Sequence, residues 1–113
     1  MKYLTLAIQV LVTIAFLAAG IAKLIGADMM VQTFDAIGVG QWFRYVTGII
    51  EVGAAIMLWV KGMQFIGAAL LVCTMIGAVL AHLLILGPSA VPALVLGAMS
   101  AYLAYNFRSQ NPI

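Results

Sequence analysis

Lys23, Glu51 and His82 are the side chains whose types could do chemistry together, with Arg44 and Tyr45 as a rim around them. Glu51 lies near the middle of RYVTGIIEVGAAIML, from Arg44 to Leu58, a stretch otherwise apolar enough for a bilayer. A carboxylate at membrane depth costs roughly 3 kcal/mol or more, so it usually faces a partner, a cavity or a pathway. At about 100° per residue, Arg44, Gly48, Glu51 and Ala55 share one helical face, small and polar where a lipid-facing stripe would be Leu and Phe. A carboxylate exchanges protons, and His, Lys and Arg donate hydrogen bonds to carbonyl or anionic oxygens. Such a set suits a ligand with a polar head on an apolar body.

Composition sets the medium. Of 113 residues, 66% are hydrophobic and 7% charged, far below the roughly 25% charged of a soluble domain. The chain therefore reads as one membrane domain, 1–113, with the lipid bilayer as its solvent. A net charge of +2, scattered along the chain, gives no nucleic-acid footprint. Cys73 stands alone, which excludes an internal disulfide and a Cys-x-x-Cys motif. One His, one Cys and three acids do not make a protein-only metal site, and a lone His82 excludes bis-histidine haem within one chain. No covalently bound cofactor is expected.

A spanning helix takes about 20 residues, so the length allows four spans with short connections. The first runs from about Leu4 to Ile25. Gln9, Thr13, Phe16, Gly20 and Lys23 recur on one face, which should look into the protein. Lys2, the apolar run and Ala18-Ala19-Gly20 resemble a secretory signal, but the run continues to Ile25 and is long enough to span. Residues 26 to 43 form the longest connection. Asp28 as N-cap, Met30, Val31, Phe34 and Ile37 at helical spacing, and breaks at Gly38 and Gly40 predict a short amphipathic surface helix. Trp42, Phe43 and Tyr45 suit the headgroup layer.

The second span is about Gln41 to Val60, with Trp59 at its far interface and Lys61-Gly62 as a tight connection. The third is about Met63 to Leu86; Leu71, Met75, Ala78 and His82 share a face, and Cys73 is nearly opposite, away from the polar cluster. Gly87-Pro88-Ser89 ends that helix and starts the next. The fourth is about Ala90 to Asn106, where Ala93, Gly97 and Ala101 form a small face for close helix contact, within the bundle or between protomers of a homo-oligomer. The polar tail from Arg108 should fray. The fold class is all-α: an antiparallel bundle of four transmembrane helices with a surface helix between the first two. With four spans both termini share a side, holding Lys2, Lys61 and Arg108. The positive-inside rule makes that side cytoplasmic.

Side chains on a helix lean toward its N-terminus. Lys23 and His82, late on outward-running helices, lean toward mid-membrane; Glu51, on the reversed helix, leans toward them. The bland outcome is a buried ion pair of Glu51 with Lys23 or Arg44 that only fixes how helices dock. A lysine snorkelling to the interface is the other bland outcome. The functional outcome is a site for a quinone or another molecule with a polar head, such as a lipid. Spacing does not choose between them. A closed, directly bonded pair would favour structure, and a cavity around Glu51 would favour binding.

AGIAKLIG (Ala19 to Gly26), FDAIGVGQWFRYVTGIIEVGAAIML (Phe34 to Leu58) and AHLLIL (Ala81 to Leu86) resemble the DoxX-like family of small membrane proteins. The Lys-Leu ending helix one, the Thr-Gly-x-x-Glu core of helix two and the late His of helix three carry the likeness. The resemblance implies a four-helix protein of the bacterial or archaeal cytoplasmic membrane. It also implies links to membrane redox chemistry: a subunit of thiosulfate:quinone oxidoreductase, quinone or catechol stress, and oxidant-resistance complexes. The expectation is a quinone-interacting membrane subunit of an oxidoreductase, with Lys23, Arg44, Tyr45, Glu51 and His82 as ligand-binding candidates and no catalytic residue assigned. The alternatives are a structural or assembly anchor for a partner oxidoreductase subunit, and a small lipid-binding protein. A proton-coupled transporter is disfavoured because no internal repeat is seen.

Overall fold

The computed structural model describes residues 2–86 and 90–108. Five helices account for most of them: α1 (Lys2–Ile25), α2 (Asp28–Ile37), α3 (Gln41–Met57), α4 (Gln64–Ala81) and α5 (Val91–Asn106). A π-helical turn, His82–Leu86, continues α4. Two helical stretches are long and apolar enough to cross a membrane, Tyr3–Ile25 and Gln64–Ile85. The helices α3 and α5 are shorter, at 17 and 16 residues. The turn expected at Gly87-Pro88-Ser89 and the tail beyond Arg108 lie outside the described residues.

The ends of α2 follow local chemistry. Gly38 closes it at φ +83°, a left-handed position that glycine adopts without strain, and its N–H bonds the Phe34 carbonyl. Asp28 was expected as the N-cap, but Ala27 occupies that position with no side-chain cap, and Asp28 is the first helical residue. There its charge still complements the helix N-terminus. The helix α3 stops at Met57 rather than Val60. The amides of Gln9 and Gln64 both donate to the Leu58 carbonyl, at 2.6 and 2.9 Å. A continuing helix would need that carbonyl for the N–H of Gly62, which instead turns the chain at φ +85°.

Helices α1, α3, α4 and α5 pack in a ring, α1 on α3, α3 on α4, α4 on α5 and α5 back on α1. Contacts between opposite ends show α1 antiparallel to both neighbours: Thr5 bonds Tyr102 at 3.1 Å, Trp59 donates to Thr13 at 2.8 Å, and Lys23 meets Glu51. Small residues set the approach. A Cβ on Gly20 would lie 2.6 Å from Val52 Cγ2 and 3.0 Å from the Gly48 carbonyl, so α1 and α3 touch backbone to backbone. A Cβ on Gly67 would lie 2.8 Å from the Ala54 carbonyl, which joins α4 to α3 in the same way. On α5, Ala93 is buried and Gly97 faces Met75 of α4, within the bundle, while Ala101 is exposed. The core is Val12, Phe16, Ala54, Ala55, Leu58, Ala68, Leu71, Met75, Ala93 and Leu103. Of the residues expected inside, Gln9, Gly20, Gly48 and Ala55 are buried, and Thr13 and Ala78 are half-buried.

Candidate functional site

The site begins with the α1–α3 contact. Gly48 is one turn before Glu51, and a Cβ there would lie 3.1 Å from Lys23 Cβ. That closeness lets Lys23 Nζ reach Glu51 Oε1 at 2.6 Å. Glu51 is 1% exposed and Lys23 12%, so water screens the pair poorly. The expected partnership of Glu51 with one of Lys23, Arg44 and His82 is met, by Lys23.

Beside the pair lies a cavity of about 710 Å³, walled mainly by apolar side chains of α2, α3, α4 and the π turn. Lys23, Glu51 and His82 all line it. His82 Nδ1 is buried there without a hydrogen-bond partner. An unpaired nitrogen shut away from water is uncommon, since buried polar atoms are otherwise paired. His82 opens the π-helical turn, a local widening that recurs at functional sites. Both discriminating features, the bonded pair and the cavity, are therefore present together.

Arg44 and Tyr45 hold other positions. Neither lines the cavity. Arg44 is 5% exposed and donates to the Lys23 carbonyl and, at 2.8 Å, to Gln41 Oε1. Its guanidinium also stands 4.3 Å from the centre of the Tyr45 ring, a cation–π contact. Gln41 Nε2 in turn donates to Asp35 Oδ1 at 2.9 Å and to the Val31 carbonyl at 3.0 Å. Arg44 thus ties the end of α1 to α3 and, through one carboxamide, to α2.

Cys73 was expected away from the polar cluster. It is exposed, yet it lines the same cavity as Glu51 and His82. Position on a helical wheel gives a direction, and a cavity wide enough to take in several faces of α4 overrides it. Sequence reading also missed Gln41, Met29, Thr33, Thr47 and Thr74. The α2 signal was there, in the apolar positions Met30, Phe34 and Ile37, which line the cavity.

A model of the DoxX-like family matches residues 7–104. No curated protein and no solved structure matches the chain.

Proposed function

The chain belongs to the DoxX-like family, and we propose that it is a small subunit of a membrane redox system that binds quinone, quinol or a similar amphipathic molecule beside Lys23, Glu51 and His82. The observation that carries this reading is the cavity itself: about 710 Å³, largely apolar, with His82 and the Lys23–Glu51 pair among the residues that line it. That volume falls within the range of about 300–1,000 Å³ of small-molecule pockets, which place a few polar groups in an apolar lining. A quinone ring fits this donor set, because its carbonyls accept hydrogen bonds from the Lys23 ammonium and the His82 imidazole. Arg44 and Tyr45 brace the rim and do not touch the ligand.

The surface supports four membrane crossings rather than two. Ile14 and Ile21 on α1, Ile49 on α3, Ile76 on α4 and Leu94 on α5 are all exposed. Apolar side chains exposed on every helix of a ring are stable in lipid and a liability in water. The exposed rings of Trp42, Tyr45 and Trp59 suit the two headgroup layers. In this reading α2 lies at the outer surface, the termini are cytoplasmic, the membrane is that of a bacterium or archaeon, and a partner oxidoreductase supplies the redox chemistry. The 2.6 Å Lys23–Glu51 pair favours a second reading, an anchor whose polar cluster only docks its helices.

Binding separates the two. The protein in zwitterionic nanodiscs is titrated with decylubiquinone while tryptophan emission is read. Trp42 packs edge-on to Phe43, which lines the cavity, so it reports occupancy. Saturable quenching is expected, and His82→Leu should weaken it about tenfold, the equivalent of about 1.4 kcal/mol. Quenching that never saturates, or is identical in His82→Leu, leaves the anchor reading standing.

A further inference from the structure

We infer that the cavity is charge-balanced and selects an uncharged, dipolar head over an anionic one, with Glu51 as the residue that sets this specificity. The inference rests on the binding reading above and narrows its ligand class. A lysine in an apolar wall would ordinarily mark a site for carboxylates or phosphates. Here Lys23 already faces Glu51 at 2.6 Å, and the carboxylate is almost wholly shielded from solvent. An incoming anion at the ammonium would also feel the carboxylate 2.6 Å behind it. Attraction and repulsion offset, and the anion's lost hydration goes unrepaid.

Two further observations point the same way. Arg44 does not line the cavity; its charge is spent on the Lys23 carbonyl, the Tyr45 ring and the Gln41 amide, which passes to Asp35. The three threonines in the wall offer no spare donors either. Thr33, Thr47 and Thr74 each donate to a carbonyl one turn back in their own helix, of Met29, Phe43 and Leu70. Among the described residues, the wall's side-chain donors are therefore Lys23, His82 and the Cys73 thiol. An anionic head takes several strong donors at once, whereas a carbonyl or phenol is satisfied by one or two.

The test compares chain-matched amphiphiles in zwitterionic nanodiscs: decylubiquinone as the neutral probe, decyl phosphate as the anion, decyltrimethylammonium as the cation. The wild-type protein should bind the neutral probe at least tenfold more tightly than either ion. Glu51→Gln should gain decyl phosphate binding at least tenfold, and Lys23→Gln should gain the cation instead. A wild type that binds the phosphate as well as the quinone, or variants that keep the wild-type order, would overturn charge balance while leaving cavity binding intact. A wild type that binds no probe removes the binding reading and this inference with it. If either variant fails to fold, the other carries the same reversal with opposite sign, and the wild-type order decides alone if both fail.

Discussion

At one end of the bundle Leu58, Leu71 and Leu103 are fully buried, and Gln9 and Gln64 close over the Leu58 carbonyl. At the other end the same helices stand around a cavity of about 710 Å³ beside Lys23, Glu51 and His82. Two glycines of α4 mark the difference. A Cβ on Gly67 would collide with the Ala54 carbonyl and, at 2.9 Å, with Met57 Cβ. A Cβ on Gly77, nearly three turns on, would meet nothing within 4 Å, and Gly77 lines the cavity. On α4, glycine makes a close contact at the first end and none at the second. Hollowness at the polar end therefore follows from how α4 stands relative to α3, with α2 filling part of the gap, rather than from a shortage of side-chain volume alone.

The comparison can be broken most sharply at the ion pair. Lys23→Met strands a carboxylate that is 1% exposed, and the expected loss is about 3–5 kcal/mol of thermal stability. Adding Glu51→Leu should recover most of it. A single-variant loss below about 1 kcal/mol would mean that water from the cavity hydrates Glu51, making the hollow end wet rather than apolar.

Next in size is the closed end. Gly67→Val forces backbone apart at the α3–α4 contact and should cost about 1–3 kcal/mol, read as a lower melting temperature in detergent. Full stability there would show that the two ends are equally loose.

The smallest stability effect belongs to Gly77→Leu, which enters open space and gains up to about 1 kcal/mol of helix propensity. It should nonetheless abolish saturable quenching by decylubiquinone. Unchanged binding would place the ligand elsewhere than in this cavity.

Much of this was legible in the residues. The α2 helix was readable from four apolar positions between glycines, because a left-handed glycine stop is a local event. That Glu51 would find a partner across helices was readable, because a charge in an apolar helix must find its complement and opposed helices lean their side chains toward each other, but Lys23, Arg44 and His82 all stayed open as that partner. The early end of α3 was not legible: it depends on two glutamines from other helices taking one carbonyl. The partners of Arg44 were hidden for a similar reason. The residues put it at the rim, but not that its hydrogen bonds run to the Lys23 carbonyl and Gln41.

By itself, then, the sequence determined an all-helical chain of apolar character and the polar faces of α1 and α3, and its short motifs carried the family likeness. The helices and their faces follow from hydropathy and a period of 3.6 residues, which act over one or two turns. Only the tertiary structure decided that the pair and the cavity coexist, that His82 Nδ1 is bare, that Cys73 shares the wall and that α2 covers it. Each depends on the distance between helices, and that distance is set by the few glycines whose missing side chains let backbones touch.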